Sequence, residues 1–256
     1  MHIVNLENKN MYTDLIIEKD ITNKIVKRKY KEKDISIERV TIDSSNYCTI
    51  FFNDITDKNN YNLVSKVLIR EIKAIIRASK LSSSKSCLVV GLGNKSSTPD
   101  ALGPKTIESI LTTRHLYLIN SLESGYKITS KLSPGVMGDT GIETKDIVKG
   151  AIDKIKPDFV IVIDALKASN IKRVNHIIQI SNIGIIPGEG VGNKRKELSL
   201  KTLGVPVITI GVPTIIETNY EDCFLMVTPK DIDFQIDKLS LLISESINKV
   251  LHKNYM

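Results

Sequence analysis

An α/β fold, a three-layer sandwich whose mainly parallel, twisted sheet is flanked by helices, is predicted by three observations. Continuous apolar runs recur that are too short for helices, at Leu88-Val-Val90, Phe159-Val-Ile-Val-Ile163 and Pro206-Val-Ile-Thr-Ile210. Helical patterns alternate with them, as strands wound with crossover helices require. A glycine-containing turn, Gly91-Leu-Gly-Asn94, follows the first run, at the edge where such sheets place their ligands.

Taken in order, residues 1–14 are polar and Asn-rich with little to bury, and Lys24 to Lys33 reads as an exposed helix or linker. Ile35 to Val40 and Tyr47 to Phe52 form a small antiparallel strand pair turned at Asp43-Ser-Ser-Asn46. Leu63, Val64, Val67, Leu68, Ile72, Ile75 and Ile76 share one face of a helix over about 61–79. Ser82 to Ser86 leads into the first parallel strand, and Pro104 opens a helix over Lys105 to Thr113. Tyr117 to Ile119 reads as an edge strand. The loop Pro134 to Glu143 is rich in glycine, and Thr144 caps a helix to about Ile155. The second apolar run ends on Asp164. Val174 to Ile180 is a strand, Pro187 to Lys196 a loop, Phe224 to Val227 a short strand, and Pro229 to His252 an amphipathic helix.

Length suits one sizeable core: 256 residues, 41% hydrophobic and 25% charged, as in an ordinary globular domain. The net charge of +7 arises from scattered lysines without an aromatic-basic module, so nucleic acid is not the expected partner, whereas an acidic protein substrate would be favoured. Cys48, Cys87 and Cys223 lack paired or metal-type spacing and fit a reducing compartment. No signal-type leader or run of 18 apolar residues is visible, so a cytoplasmic protein without membrane association is expected.

Asp100 follows the first strand and Asp164 the second, so two carboxylates reach one sheet edge. Such a pair can share a proton, one acid activating water while the other protonates a leaving group, or it can hold a divalent metal; the same residues also suit a helix cap and a turn. Gly91-Leu-Gly93 lacks the third glycine of a dinucleotide fingerprint, Ser96 standing there. His115 is the histidine nearest the first motif, and no nucleophile elbow exists. Asn94 helps the chain turn sharply after the first strand. Gly135 and Gly138 suit either close backbone approach to an extended substrate or a tight surface turn. Gly190, Asn193 and Lys194, in the loop ending Lys194-Arg-Lys196, suit either a cradle for an anion or acidic peptide or a solvated loop.

Several stretches carry a likeness more specific than spacing: Cys87-Leu-Val-Val-Gly-Leu-Gly-Asn94, Thr98-Pro-Asp-Ala-Leu-Gly-Pro104, Thr113-Arg-His115, Pro134-Gly-Val-Met-Gly138, Thr140-Gly-Ile-Glu-Thr144, Lys156-Pro-Asp-Phe-Val160, Ile163-Asp-Ala-Leu166, Gly190-Val-Gly-Asn-Lys-Arg-Lys196, Leu203-Gly-Val-Pro-Val207, Ile210-Gly-Val-Pro-Thr214 and Met226-Val-Thr-Pro-Lys230. Over about residues 12–250 they resemble the germination protease family of endospore-forming bacteria. The resemblance implies a fold similar to hydrogenase-maturation peptidases and an endopeptidase that degrades small acid-soluble spore proteins during germination, with Asp100 and Asp164 as its catalytic aspartates. It implies a forespore and spore-core location, a homotetramer, and a zymogen. Thr13-Asp-Leu-Ile-Ile-Glu18 resembles the self-processing site, so residues 1–14 are the expected propeptide, cleaved between Asp14 and Leu15 to leave 15–256 as a single peptidase domain. Where maturation-type relatives carry a metal-binding histidine, Gly190-Val-Gly-Asn193 stands here, which favours an aspartic-type mechanism without metal or other cofactor. A metal-dependent maturation-type peptidase and a non-catalytic sporulation binding protein are the alternatives. One departure is that Ile215 to Leu225 bridges directly a place where family members usually carry a long segment.

Overall fold

The computed structural model describes residues 13–19, 25–192, 195–220 and 223–255. Its strands are β1 (Ile25–Glu32), β2 (Ile35–Ile42), β3 (Ser45–Phe51), β4 (Ser86–Gly91), β5 (Ile128–Leu132), β6 (Phe159–Ala168), β7 (Ile177–Ser181), β8 (Val207–Tyr220) and β9 (Cys223–Val227). Its helices are α1 (Lys58–Ala78), α2 (Leu102–Glu108), α3 (Arg114–Leu118), α4 (Met137–Thr140), α5 (Thr144–Ile155), α6 (Leu200–Leu203) and α7 (Ile232–Leu251). All the strands join one mixed sheet in the order β1-β2-β3-β7-β8-β6-β4-β5, with β9 hairpinned onto β8.

The four strands β8-β6-β4-β5 run parallel, and their apolar runs are continuous because helices cover both faces. Ile161, Ile163, Ile208 and Ile210 pack under α1, α2 and α7 with Leu68, Ile72, Leu239 and Ile243. Val160 and Val162, on the other face, meet Val148 and Ile152 of α5 and Leu203 of α6. Each fully buried aliphatic side chain contributes about 1.5–3 kcal/mol, so these two layers hold the parallel strand ends rigidly. Asp57 caps α1 by accepting the Asn60 N–H at 2.9 Å.

The antiparallel half is larger than a strand pair. Lys24 to Lys33, expected as a helix or linker, supplies β1, whose Lys29 pairs across the ladder with Glu38 at 2.6 Å; an edge strand tolerates such charges because they stand in water. The meander β1-β2-β3 joins β8 through β7. It is pinned to α1 by buried Glu71, which accepts hydrogen bonds from Tyr30 Oη at 2.6 Å, Arg39 Nε at 2.8 Å and Arg70 Nε at 3.0 Å.

Other boundaries differ for identifiable reasons. Tyr117 lies in α3, and the sheet edge is β5, whose Ile-Thr-Ser-Lys-Leu sequence carries little strand signal. The helix expected at 105–113 is α2, which starts at Leu102 because Gly103 lets its first turn press against β4. Strands β6 and β8 run past Asp164 and Gly211, pairing as far as Ala168 with Ile216. No helix among the described residues is long and apolar enough to cross a membrane.

Candidate active site

Two glycines place the first carboxylate. A Cβ on Gly91 would stand 2.3 Å from the Gly103 carbonyl oxygen, and one on Gly103 2.2 Å from that of Leu92; only hydrogen fits where β4 meets α2. The connecting turn doubles back through Gly93 at φ 112°, where a Cβ would lie 2.0 Å from the Asp100 carbonyl oxygen. Asp100 is thereby fixed above the end of β4, its Oδ2 accepting the Asn94 N–H at 2.8 Å.

The second carboxylate comes from the neighbouring strand. Gly91 pairs with Ile163, and the next residue, Asp164, turns to the face opposite the α1–α7 layer. Asp164 and Gln179 both pair with Gly211, so Gln179, Gly211 and Asp164 form one row on that face, with a bare glycine between two polar side chains. Asp164 is 5% exposed, and its Oδ1 accepts the Ala165 N–H at 2.9 Å.

Both acids line a cleft of about 530 Å³. Burial raises the Asp164 carboxyl well above its usual range, and the neighbouring charges of Asp100 and Asp14 add to the rise. Burial also raises Asp100, opposed by the Asn94 N–H. A buried acid that favours its proton beside one held by a backbone donor can divide the roles of proton donor and acceptor. No histidine lines the cleft, and among the described residues no group of three or more His, Cys, Asp or Glu side chains could hold a metal ion. The described residues of the cleft therefore do not supply such a ligand set.

The chain's own Thr13–Glu18 segment lies across this edge. Asp14 N donates to the Lys167 carbonyl at 3.1 Å, and Lys167 N donates to Asp14 Oδ2 at 2.8 Å. The Asp14 carboxyl is raised by burial, opposed first by that Lys167 N–H. Leu15, fully buried, packs with Leu166, Ala168, Val174, Ile177 and Ile216. Glu18 accepts the Ser169 N–H at 2.8 Å and pairs with Arg173.

Most of the residues singled out in the sequence meet at this place. Asn94, Gly135 and Gly138 line the cleft, although Asn94 acts on Asp100 through its backbone while its side-chain Oδ1 accepts the Ser96 N–H. Gly190 lies against Asp14, a Cβ there falling 2.2 Å from Asp14 Oδ2. Asn193 and Lys194 lie outside the described residues. His115 is exposed on α3, away from the cleft. Sequence reasoning passed over Gln179, Ser169 and Arg173. A signal for the first was available, because Gln179 interrupts Ile177-Ile-Gln-Ile180 on the site-facing side; Ser169 acts through its backbone and leaves none.

The class is that of mixed α/β sheets that present two carboxylic acids of raised pKa in one cleft, where β4 ends beside β6. The family model described as Germination protease matches residues 3–220, and the chain belongs to that family. It is similar to the germination proteases of Geobacillus sp. (strain WCH70), 52% identical over 193 residues covering 74% of this chain and 50% of the relative, and of Oceanobacillus iheyensis, 44% identical over 229 residues covering 83% and 62%. That of Bacillus cereus (strain ATCC 10987) is 45% identical over 231 residues, covering 85% and 61%. The chain thus spans between half and about three fifths of these relatives' length. Among solved structures, a NiFe hydrogenase maturation protease HycI from Thermococcus kodakarensis matches with a TM-score of 0.41 at 18% identity, covering 69% of this chain and 98% of that one.

Proposed function

We propose that this protein is an endopeptidase that starts the degradation of small acid-soluble spore proteins during germination, using Asp100 and Asp164 to activate water. The observation that carries the reading is the placement of two carboxyls with raised pKa values in one cleft, in a chain of the germination protease family. Asp164, buried and crowded by negative charge, holds the proton and delivers it to the departing amide nitrogen. Asp100, whose Oδ2 receives the Asn94 N–H, takes the proton of the attacking water as general base. Backbone donors and Gly190 accept an acidic side chain at the bond to be cut, in keeping with the seat of Asp14.

In this reading residues 1–14 are a propeptide, the Asp14–Leu15 bond is the self-processing site, and 15–256 form one peptidase domain. A homotetramer acting in the forespore and spore core accompanies it by family membership. The test is cleavage of a spore-protein peptide containing a Thr-Glu-apolar site by protein beginning at Leu15, by its Asp100→Asn and Asp164→Asn forms, and with chelator. Cleavage after the acidic residue that both substitutions abolish and chelator spares is expected. Loss of cleavage on chelation would replace this reading with a metal-dependent maturation-type peptidase, and no cleavage by the folded protein would leave a binding role.

A further inference from the structure

Strand β4 ends its pairing with β6 at Gly91–Ile163, whereas β6 continues to Ala168 with β8 alone. The backbone of residues 165–168 therefore has a free edge, and a register shift between Leu166 and Lys167 falls within it. Residues 13–15 meet this edge at Lys167, whose carbonyl oxygen accepts the Asp14 N–H while its own N–H donates to the Asp14 side chain.

Two side chains take hold of this segment beyond the edge contacts. Gln179 Nε2 donates to the Asp14 carbonyl oxygen at 3.2 Å, and its Oε1 accepts the Ile16 N–H at 2.8 Å. One carboxamide thus grips the backbone on both sides of the Asp14–Leu15 bond, reaching past Gly211 from the same row as Asp164. Four residues beyond Asp14, the Glu18 side chain is 2% exposed between Arg173 and the Ser169 N–H. A carboxylate so enclosed, with a cation and an amide directed at it, occupies a charge-selective pocket.

We propose that Gln179 and Arg173 are the substrate-reading residues of this cleft. Gln179 presents the bond that follows an acidic residue, and Arg173 with the Ser169 amide selects a second acidic residue four positions further on. The apolar side chain between them takes the Leu15 seat. This rests on the peptidase reading and adds how the peptide lies: its acidic–apolar pair extended and the three residues after it in a 3-10 turn, as Ile16–Glu18 are, which brings the second acidic residue to Arg173. The Gln179 Nε2 donor also faces the carbonyl oxygen on which charge would gather as water attacks.

The test uses the full chain and two fluorescein-labelled peptides, Thr-Asp-Leu-Ile-Ile-Glu and the same peptide ending in Lys. Arg173→Glu is expected to weaken kcat/KM for the first about tenfold or more and to improve it for the second, as loss of a charge-assisted bond and its reversal require. Gln179→Ala should lower kcat more than it raises KM and should speed hydrogen exchange of the Ile16 amide. Arg173→Gln, which removes the charge without reversing it and should weaken cleavage of the first peptide alone, serves if the reversal does not fold. Should the unsubstituted protein cleave neither peptide, the peptidase reading fails, and anisotropy with the same labels decides the subsites by whether Arg173→Glu inverts the preference. Unchanged selectivity overturns the proposal, even where exchange over residues 13–19 quickens, because the contacts would then hold only the chain's own segment.

Discussion

Replacing Gly103 by alanine tests whether the close approach of α2 to β4 sets the position of Asp100. The added Cβ would lie 2.2 Å from the Leu92 carbonyl oxygen, 2.5 Å from its nitrogen and 2.8 Å from the Gly91 carbonyl carbon. Ordinary contact begins at 3.4 Å, so the helix must withdraw by about 1.2 Å, and the obstruction is backbone that no rotamer can relieve. Overpacking of this kind costs about 1–3 kcal/mol of stability. Asp100 precedes α2 by two residues and travels with it; a displacement near 1 Å costs on the order of 100-fold in turnover. Urea unfolding at pH 7 and peptide cleavage measure the two effects. Gly150→Ala is the internal comparison: this exposed glycine lies mid-helix in α5 with nothing within 4 Å of a Cβ, so it should gain about 0.5–1 kcal/mol and retain full turnover. A Gly103→Ala protein that unfolds and cleaves like the unsubstituted chain would refute the argument.

Other substitutions probe the remaining contacts. Gly190→Ala drives a Cβ onto the Asp14 carboxylate; losing the Lys167 N–H bond should cost about 1.5–3 kcal/mol of docking, seen as faster exchange over residues 13–19 with an unchanged melting temperature. For Asp164 the folded pKa is raised above 3.8, so wild-type stability falls as pH rises from 3.8 through the folded value. Asp164→Asn escapes that loss and should be the more stable protein at pH 7 by denaturant midpoint, the gap closing below pH 3.8. Burial pushes Glu71 up, but its bonds from Tyr30, Arg70 and Arg39 outweigh this and leave its pKa below 4.5. Glu71→Gln should therefore lose about 1–3 kcal/mol at pH 7, a difference that shrinks as pH falls through the lowered pKa; equal midpoints at pH 7 would show that the meander is held otherwise.

What could be read from the sequence follows the physics of each element. Strands β4, β6 and β8 were legible because burial on both faces removes polar residues and leaves continuous Val and Ile. The two aspartates were legible because each follows such a run. β1 was not, since Lys27, Arg28, Lys29 and Lys31 are exposed around a single half-buried Tyr30 and its pairing partner is an equally mixed β2. β5 was hidden for a related reason: as an edge strand it keeps only Thr129 fully buried. Gly103 was seen beside a proline that marks helix starts, but the backbone approach that moves the start to Leu102 is a tertiary fact. The pocket around Glu18 could not be read at all, because it unites residues 18, 169 and 173 from segments with no common pattern.

The site depends on unequal strand length more than on any single residue. Had β6 ended at Asp164, as its apolar run suggests, the sheet edge would hold two acids and no backbone to receive a peptide. Because β6 and β8 continue together to Ala168 and Ile216 while β4 stops at Gly91, the same strand that carries Asp164 offers the N–H and C=O of Lys167 to Asp14 a few residues on. Asp164 and the Lys167 edge that meets Asp14 are thus fixed in one strand. The Gly91–Gly103 contact that turns the chain away from β6 fixes Asp100 as well as the point where that edge begins. The placing of Asp100 and the start of that edge are therefore set by one decision of the chain, to leave the sheet at Gly91.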